Sequence, residues 1–155
     1  MGRKVLVALD DSESSYRAAR AVRELFGDTD VEVLGINVAS LPQTWIAPGL
    51  GYGMVAPLFP PSISDDAEEV AMRQARDEAA AVLERTGLTD ATAMGAVGDP
   101  VQAIVTAAAQ FDVDVIVVGG DEGGFFGRLL DHSVARALLR DARRPVLVVP
   151  PASTE

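Results

Sequence analysis

The sequence predicts an α/β fold, a three-layer sandwich in which helices cover both faces of one parallel β-sheet. Three observations support this prediction: five short apolar segments are typical of strands, four amphipathic segments are typical of helices, and the two kinds alternate along the chain. A length of 155 residues suits one domain with one sizeable core. We predict a single domain over 1–155 without internal repeats, with a long loop over 39–64 and a tail over 151–155.

The first half of the chain predicts, in order, the strand Val5–Leu9, a helix from Ser12 to about Phe26, the strand Val31–Val38 and the helix Asp65–Thr86. The first of these strands is wholly apolar, as expected of a strand buried on both sheet faces. Capping residues follow it, and a glycine ends each helix. Apolar residues recur at the helical period in both helices: Ala18, Ala19, Val22, Leu25 and Phe26 in the first, and Ala67, Val70, Ala71, Ala75, Ala79, Val82 and Leu83 in the second.

The second half predicts, in order, the strand Thr89–Val97, a helix from Asp99 to about Gln110, the strand Val113–Val118, the helix Ser133–Asp141 and the strand Pro145–Val149. Pro100 would occupy the first turn of its helix, where a missing N–H costs nothing. The strand Thr89–Val97 alternates between apolar and polar residues and has the weaker pattern. The other strands are more continuously apolar.

The connection Ala39–Ser64 is rich in proline and glycine and carries the aromatic residues Trp45 and Tyr52. A structureless loop of this length in a compact domain is usually either functional or disordered. Two interpretations stay open: the loop packs on a pocket or a partner subunit, or it is mobile. Packing in a core or an interface fits the two aromatic rings better than stacking on a base.

The composition excludes several classes of partner. A net charge of −10 argues against nucleic acid, because phosphate contacts need clustered Lys and Arg. No apolar stretch approaches the roughly 18 residues of a membrane span, so no membrane partner is expected. The absence of cysteine and of a signal peptide predicts a cytoplasmic protein. Lys4 is the only lysine, which leaves no Walker-type lysine; the arginine bias fits either a high-GC genome or adaptation to salt.

A candidate ligand site follows from the predicted sheet. In open parallel sheets ligands bind beyond the carboxyl ends of the strands, where the strand order reverses. If the order is 3-2-1-4-5, the reversal lies between strands 1 and 4, and Asp10 and Gly119–Gly120 follow these strands. The glycines near this turn allow positive φ and close approach of backbone N–H groups to an anion. Ser133 begins the next helix, whose N-terminus favours phosphate. A flexible loop with an ordinary serine N-cap is the alternative interpretation.

Three segments, "VLVALDDSESSYRAAR", "GDPVQAIVTAAA" and "DVIVVGG…HSVARALLRDARRPVLVVP", resemble the universal stress protein family in order and spacing over essentially the whole chain. The resemblance implies a Rossmann-like fold of the adenine nucleotide alpha hydrolase-like type, with five parallel strands in order 3-2-1-4-5. It also implies a homodimer formed by pairing of the last strands, here Val146–Val149. Such pairing would cover an apolar sheet edge that otherwise invites aggregation.

ATP-binding members of this family carry Gly-x2-Gly-x9-Gly-Ser/Thr after the fourth strand. The corresponding positions here are Gly119, Glu122, His132 and Ser133, so two of the three glycines are replaced. Shifting the alignment by one residue supplies no third glycine. His132 is the only histidine, and a surface position at the start of the helix fits it better than a phosphate contact.

The adenine and ribose side of the family's site corresponds to positions near the ends of the first three strands. The residue types are compatible, since Asp10 would accept hydrogen bonds from sugar hydroxyls and Val38 would offer backbone groups and apolar contact. The full set of candidate nucleotide-binding residues is Ala8, Asp10, Val38, Gly98, Gly119, Gly120, Gly124, Arg128, His132, Ser133 and Val134.

The phosphate side of the site is acidic. Only Arg128 opposes three carboxylates there, those of Asp121, Glu122 and Asp131. Like charges near a triphosphate disfavour binding by a few kcal/mol unless a cation intervenes. Side chains in place of glycine also block close backbone approach. We therefore expect weakened ATP binding, with three routes to retain a nucleotide: Mg held with a triphosphate, a smaller ligand such as AMP or adenosine, or a cradle reshaped by the extra glycines.

Two functions stay open at this level: a nucleotide-responsive stress regulator, or a nucleotide-independent dimeric interaction module of the same fold. Asp10, Gly119 and Ser133 favour the first, whereas Glu122 and His132 favour the second. Each implies a client protein that the sequence does not identify.

Other functional classes fit poorly. "VLVALDD" resembles the acidic pair of a two-component receiver, but the lysine that such a receiver needs after its fifth strand is missing. With one histidine and no cysteine, the candidates for chemistry are Asp10, Asp11 and Ser12, and these are better explained as a helix cap. We predict no enzymatic activity, no catalytic residue and no built-in metal site.

Overall fold

The computed structural model describes residues 2–40, 65–120 and 133–151. The strands are β1 (Arg3–Ala8), β2 (Val31–Ala39), β3 (Thr92–Val97), β4 (Val115–Gly119) and β5 (Val146–Val149), and the helices are α1 (Glu13–Phe26), α2 (Asp65–Arg85), α3 (Pro100–Gln110) and α4 (Ser133–Asp141). All neighbouring strands pair in parallel, in the order β3-β2-β1-β4-β5. The α/β class and the strand order expected from the sequence are confirmed. Residues 41–64 of the long connection lie outside the described ranges.

Two strands begin later than the sequence predicts, because the ends of the preceding helices occupy the first residues of the predicted strands. At the end of α2, Gly87 has a φ of +79° and the Leu88 N–H donates to the Leu83 carbonyl, so β3 begins at Thr92. At the end of α3, the Val113 N–H donates to the Ala108 carbonyl at 3.1 Å, so Val113 closes the helix instead of starting β4. Both terminations satisfy carbonyls that a helix end otherwise leaves without a partner.

The sheet is covered on both faces, which gives two apolar clusters and the predicted three layers. On one face, α1 and α2 pack on the sheet through Val5, Val7, Leu9, Ala18, Ala19, Val22, Ala79, Val82, Leu83 and Val117. On the other, α3 and α4 pack through Leu6, Ala8, Leu34, Ile36, Val38, Val101, Ile104, Ala107, Ala108, Val113, Ile116, Val118, Leu138 and Ala142. Strand residues alternate between the two clusters, as the period of two requires.

Parts of the predicted apolar stripes are exposed. Leu25 is 59% exposed in the last turn of α1, and Val70 is 58% exposed near the start of α2. The 21 residues of α2 span roughly 31 Å, whereas the six residues of β3 span roughly 20 Å. The first turns of α2 therefore have no sheet beneath them, and helical periodicity alone could not show this. No helix in the described ranges is long and apolar enough to cross a membrane.

Helix α2 lies directly on the backbone of β3. A Cβ atom added at Gly95 would lie 2.0 Å from the Met72 carbonyl oxygen and 2.7 Å from the Arg76 nitrogen. Glycine at this position therefore sets the distance between helix and strand. The side-chain amide of Asn37 on β2 also donates to Glu78 of α2 at 2.8 Å.

Candidate functional site

Asp10 lies just beyond the carboxyl end of β1, where it is only 8% exposed. Its Oδ1 atom accepts hydrogen bonds from the hydroxyls of Ser12 and Ser15, the latter at 2.6 Å. The Asp10 N–H in turn donates to the Ser15 hydroxyl at 2.8 Å. Among the described residues these bonds reach Oδ1 and not Oδ2, so the carboxylate is fixed through one oxygen and keeps the other as an acceptor.

The start of α1 is built around the same serines. Ser12 is the N-cap, and its hydroxyl accepts from the Ser15 N–H at 3.3 Å and lies 3.0 Å from the Ser14 hydroxyl. The predicted capping group of Asp10, Asp11 and Ser12 is thus corrected: Ser12 caps the helix, and Asp10 is the buried acceptor beneath it. The positive end of the α1 dipole lies beside this carboxylate.

Asp11 takes part in a different network. Its side chain is exposed and accepts a hydrogen bond from the Tyr16 hydroxyl at 3.2 Å. Arg85 of α2 donates to that hydroxyl at 2.7 Å and lies 3.9 Å from the Asp11 carboxylate, and the hydrogen bond to Tyr16 raises the pKa of Arg85. The two neighbouring aspartates therefore do not form one acidic site.

Gly119 is the last residue of the neighbouring strand β4, and Gly120 follows it. Since Val7 pairs with Val117, the residues after β1 and β4 emerge at the same edge of the sheet. The structure therefore brings Asp10 and these glycines, 109 residues apart in the chain, to the predicted point where the strand order reverses.

Gly119 is explained by packing. A Cβ atom there would lie 2.2 Å from the Ser14 carbonyl oxygen and 2.6 Å from its carbon, so only glycine lets β4 lie against α1 at this point. Positive φ, the other reason given for glycine here, does not apply, because the glycines with positive φ in the described ranges are Gly87 and Gly98. The close approach is therefore to a helix backbone.

Gly120 is held from two sides. Its N–H donates to the Val149 carbonyl of β5 at 2.7 Å, and its carbonyl accepts from the Arg17 guanidinium at 3.5 Å. This N–H, expected from the sequence to be available to an anion, is bound to β5. The sequence interpretation missed Arg17. The signal that could have found it is its position on α1, one helical turn after buried Ser14.

The residues expected near the base and the sugar lie at the same edge of the sheet. Ala8 and Val38 are buried in the cluster under α3 and α4. β2 and β3 pair as far as Ala39 and Val97, beyond the end of β1 at Ala8, and so form a step beside Asp10. Gly98 follows β3 with a φ of +125° and donates to the Ala39 carbonyl at 3.0 Å.

The remaining candidate residues are described incompletely. Gly124, Arg128 and His132 lie outside the described residues, and so do Asp121, Glu122 and Asp131. α4 begins at Ser133 as predicted, but the side chains of Ser133 and Val134 are not described. Within the described ranges, no three His, Asp or Glu residues are grouped so that they could hold a metal ion.

Two cavities lie outside the strand-order reversal between β1 and β4. One, of about 790 Å³, is lined by residues around the carboxyl ends of α1 and α2, and the other, of about 870 Å³, lies beside β3 between α2 and α3. Neither is lined by Asp10, Gly119 or Gly120. We therefore define the candidate site by the residues that come together at the strand-order reversal between β1 and β4, and not by the size of a cavity.

Comparison with known proteins gives one family. The model of the universal stress protein family matches residues 1–150. A solved protein of that family from Burkholderia pseudomallei is 28% identical, with a TM-score of 0.60 over 95% of each chain. A universal stress protein solved in complex with cAMP is 25% identical, with a TM-score of 0.58 over 97% of this chain and 98% of that one.

A universal stress protein from Archaeoglobus fulgidus, solved in complex with dAMP, is 22% identical with a TM-score of 0.55. The similarity covers 96% of this chain and 98% of that one, and it shows a shared fold. No curated protein matches the sequence.

Proposed function

The chain belongs to the universal stress protein family, and from this premise we propose that it is a dimeric regulatory protein that binds an adenine nucleotide beside β1 and β4. The observation that carries this proposal is the meeting of the fixed Asp10 carboxylate and the Gly119–Gly120 turn at the strand-order reversal. We also propose a cytoplasmic location, which a sequence without cysteine fits.

The proposed ligand carries few phosphates. The complexes of relatives with cAMP and dAMP support an adenine nucleotide with a single phosphate group. In this chain three acidic residues and one arginine follow Gly120 before α4, a balance that suits AMP better than ATP. Asp10 would accept a hydrogen bond from a ribose hydroxyl, and ATP would need Mg to offset the surplus negative charge.

We propose no catalytic activity for this cleft. The hydroxyls of Ser12 and Ser15 are held by the Asp10 carboxylate and by the helix start. A serine nucleophile needs a nearby general base, and the sequence offers only one histidine, His132, for that role. The serines accordingly have a structural role in orienting Asp10.

A second candidate function is a nucleotide-independent dimeric interaction module. Two observations favour it: Gly119 is explained by its contact with Ser14, and the Gly120 N–H is bound to Val149. Both glycines therefore have a structural role that does not require a bound nucleotide. Titration separates the two functions, because the module would bind no adenine nucleotide.

The first prediction is that AMP binds and that ATP without a divalent ion binds at least roughly tenfold more weakly, because like charges repel a triphosphate. Isothermal titration of the purified protein with AMP, and with ATP in the presence and absence of Mg, measures this. GMP is the matched control for the base. ATP binding at micromolar affinity without a divalent ion would contradict the weakened triphosphate site, and no binding of any adenine nucleotide would leave the second candidate.

The second prediction concerns dimerisation through β5. The Pro145 and Val149 carbonyls accept hydrogen bonds from the N–H groups of Ile116 and Gly120. Backbone groups point to opposite sides at successive residues of a strand, so the N–H and carbonyl of Val148 point away from β4, to the open edge of the sheet. Its side chain is 39% exposed. Val148→Pro should therefore keep the pairing with β4 and remove an outward N–H, which gives a folded monomer in sedimentation velocity.

Val148→Thr is the matched control, since it keeps the backbone N–H and the β-branched shape. It should remain a dimer. If Val148→Pro is still a dimer, the interface lies on another surface. If the unmodified protein is a monomer, the proposed dimer is wrong.

A further inference from the structure

β3 is an edge strand, and its outer side pairs with no other strand in the described ranges. The Gly98 N–H donates to the Ala39 carbonyl of β2, and backbone groups point to opposite sides at successive residues of a strand. The N–H and carbonyl groups of Ala93, Gly95 and Val97 therefore point away from β2, to the open edge. Within the described part of the chain, no hydrogen bond to another element uses these groups.

The sequence of β3 does not protect this edge. The strand has neither a charged residue nor a proline, the residues that natural edge strands commonly use against pairing with another chain. Its residues from Ala93 to Val97 are half-buried, whereas the last four residues of the central strand β1 are buried. The outer side of β3 is therefore a site at which another strand can pair.

Two helices form the walls of a groove along this edge, which we call the β3 groove. α2 packs on one face of the sheet and α3 on the other, and the cavity of about 870 Å³ between them includes the residues of β3 from Ala93 to Val97. A second folded copy carries helices on both faces of its own sheet, and these would meet α2 and α3 before the two strands could pair. An extended peptide has no such helices and therefore fits the groove better.

The two walls of the β3 groove differ in chemistry. The α3 wall is uncharged after its N-cap Asp99, whose carboxylate accepts from the start of the helix, and it contains the apolar residues Ala103 and Phe111. The α2 wall carries Met72, which is 41% exposed, and Arg76. Side chains of an added strand point alternately to the two faces of the sheet, so alternate residues would contact α3 and α2.

Arg76 is the cation that the α2 wall offers to a partner. Arg73, the other arginine of this wall, pairs with Glu69 of the same wall at 2.7 Å. Arg76 lies 3.4 Å from Asp77, which follows it in the helix and is not part of the groove. Both side chains of that pair are more than half exposed, and such pairs contribute little. An acidic side chain in the groove would complement the charge of Arg76.

We infer that the β3 groove binds an extended segment of a client protein as an added strand, with apolar side chains toward α3 and an acidic side chain toward Arg76. Main-chain hydrogen bonds to Ala93, Gly95 and Val97 supply the affinity, and the two walls select the sequence. The groove lies at the opposite edge of the sheet from β5, so client binding is compatible with the proposed dimer. The inference does not rest on nucleotide binding.

Two synthetic peptides test this surface, one alternating valine with glutamate and one alternating valine with lysine, each over about seven residues, which match the length of β3. Each is labelled with fluorescein and titrated by fluorescence anisotropy into the unmodified protein, Arg76→Glu and Arg20→Glu, at about 0.15 M salt. The glutamate peptide should bind the unmodified protein. Arg76→Glu should shift the ratio of the two affinities roughly tenfold toward the lysine peptide, because it weakens one contact and strengthens the other by the several-fold effect of an exposed charge pair.

Arg20→Glu is the matched control, because it changes the net charge of the protein by the same amount. Arg20 is on α1 and does not line the β3 groove, and its side chain is 57% exposed, against 54% for Arg76. Distant charges are largely screened at this salt concentration, so Arg20→Glu should change the ratio of the two affinities less than about twofold.

Amide hydrogen exchange of the unmodified protein, followed by NMR with and without the glutamate peptide, tests the mode of binding. The outward amides of Ala93, Gly95 and Val97 should gain protection when the peptide binds. The amides of Met94 and Ala96 point to β2 and should change little, since they are already bonded in the sheet.

Four results would each overturn the inference. The first is no binding of the glutamate peptide up to about 1 mM. The second is binding that leaves the three outward amides unprotected, which would exclude strand addition. The third is an equal shift of the affinity ratio in Arg20→Glu and Arg76→Glu, which would reflect net charge alone. The fourth is protection of the outward amides that rises with protein concentration in the absence of peptide, which would assign the groove to a second copy of the chain.

Discussion

Replacing Gly119 by alanine is expected to destabilise the fold and abolish nucleotide binding together. The added Cβ would lie 2.2 Å from the Ser14 carbonyl oxygen, an atom that cannot rotate away. To restore van der Waals contact, α1 would have to move from β4 by about 1 Å. Overpacking of this kind costs about 1–3 kcal/mol, and a backbone clash lies at the upper end. Urea denaturation measures the loss in free energy of unfolding, and AMP titration the loss of binding.

Gly120→Ala is the matched control in the adjacent position. The nearest atom to a Cβ there is Cγ1 of Val148, at 3.1 Å, and a side-chain methyl group can shift. Its cost should stay below about 1 kcal/mol. If Gly119→Ala is as stable as Gly120→Ala, the contact between β4 and α1 does not constrain the site as described.

Replacing Asp10 by alanine is the second change with a large expected effect. It removes the acceptor of two hydroxyl hydrogen bonds at the start of α1, where bonds to a charged group are worth about 1.5–3 kcal/mol each. Water partly replaces them, so we expect a loss of about 2 kcal/mol in free energy of unfolding. AMP binding should weaken by roughly tenfold or more, because the sugar hydroxyl loses its acceptor.

Asp10→Asn separates stability from binding. Its Oδ1 atom can still accept from Ser12 and Ser15, so most of the stability should return, as measured by urea denaturation. The amide nitrogen would replace Oδ2, however, and cannot accept from a sugar hydroxyl. The Asp10→Asn variant should therefore bind AMP as weakly as the Asp10→Ala variant does. Full AMP affinity in Asp10→Asn would contradict the proposed role in sugar binding.

The fold was predictable because its signals are local or periodic. Buried parallel strands appear as continuous apolar runs, and the caps at Ser12 and Asp99 mark where helices begin. The exposure of Leu25 and Val70 was not predictable in this way. For Val70 it depends on how far α2 extends past the sheet, which periodicity does not encode.

The candidate site was predictable in its place and less so in its interactions. The strand-order rule brings Asp10 and Gly119 to one edge from sequence alone. The reason for glycine at 119 is a contact with Ser14, more than a hundred residues away in the chain, and Arg17 reaches Gly120 over a similar separation. Such contacts depend on the spacing of packed elements. Gly124, Arg128 and His132 lie outside the described residues, so their roles stay predictions.

The backbone contact between α2 and Gly95 has a practical consequence for following ligand responses. At Gly95 the helix backbone rests on the strand without an intervening side chain, so a change of rotamer there cannot alter the distance, and we expect α2 and β3 to keep the same spacing at this point when a ligand binds. Amide hydrogen exchange of this pair would then serve as an internal reference. Protection changes in α1 or β4 on adding AMP can be read against it as movements of the cleft itself.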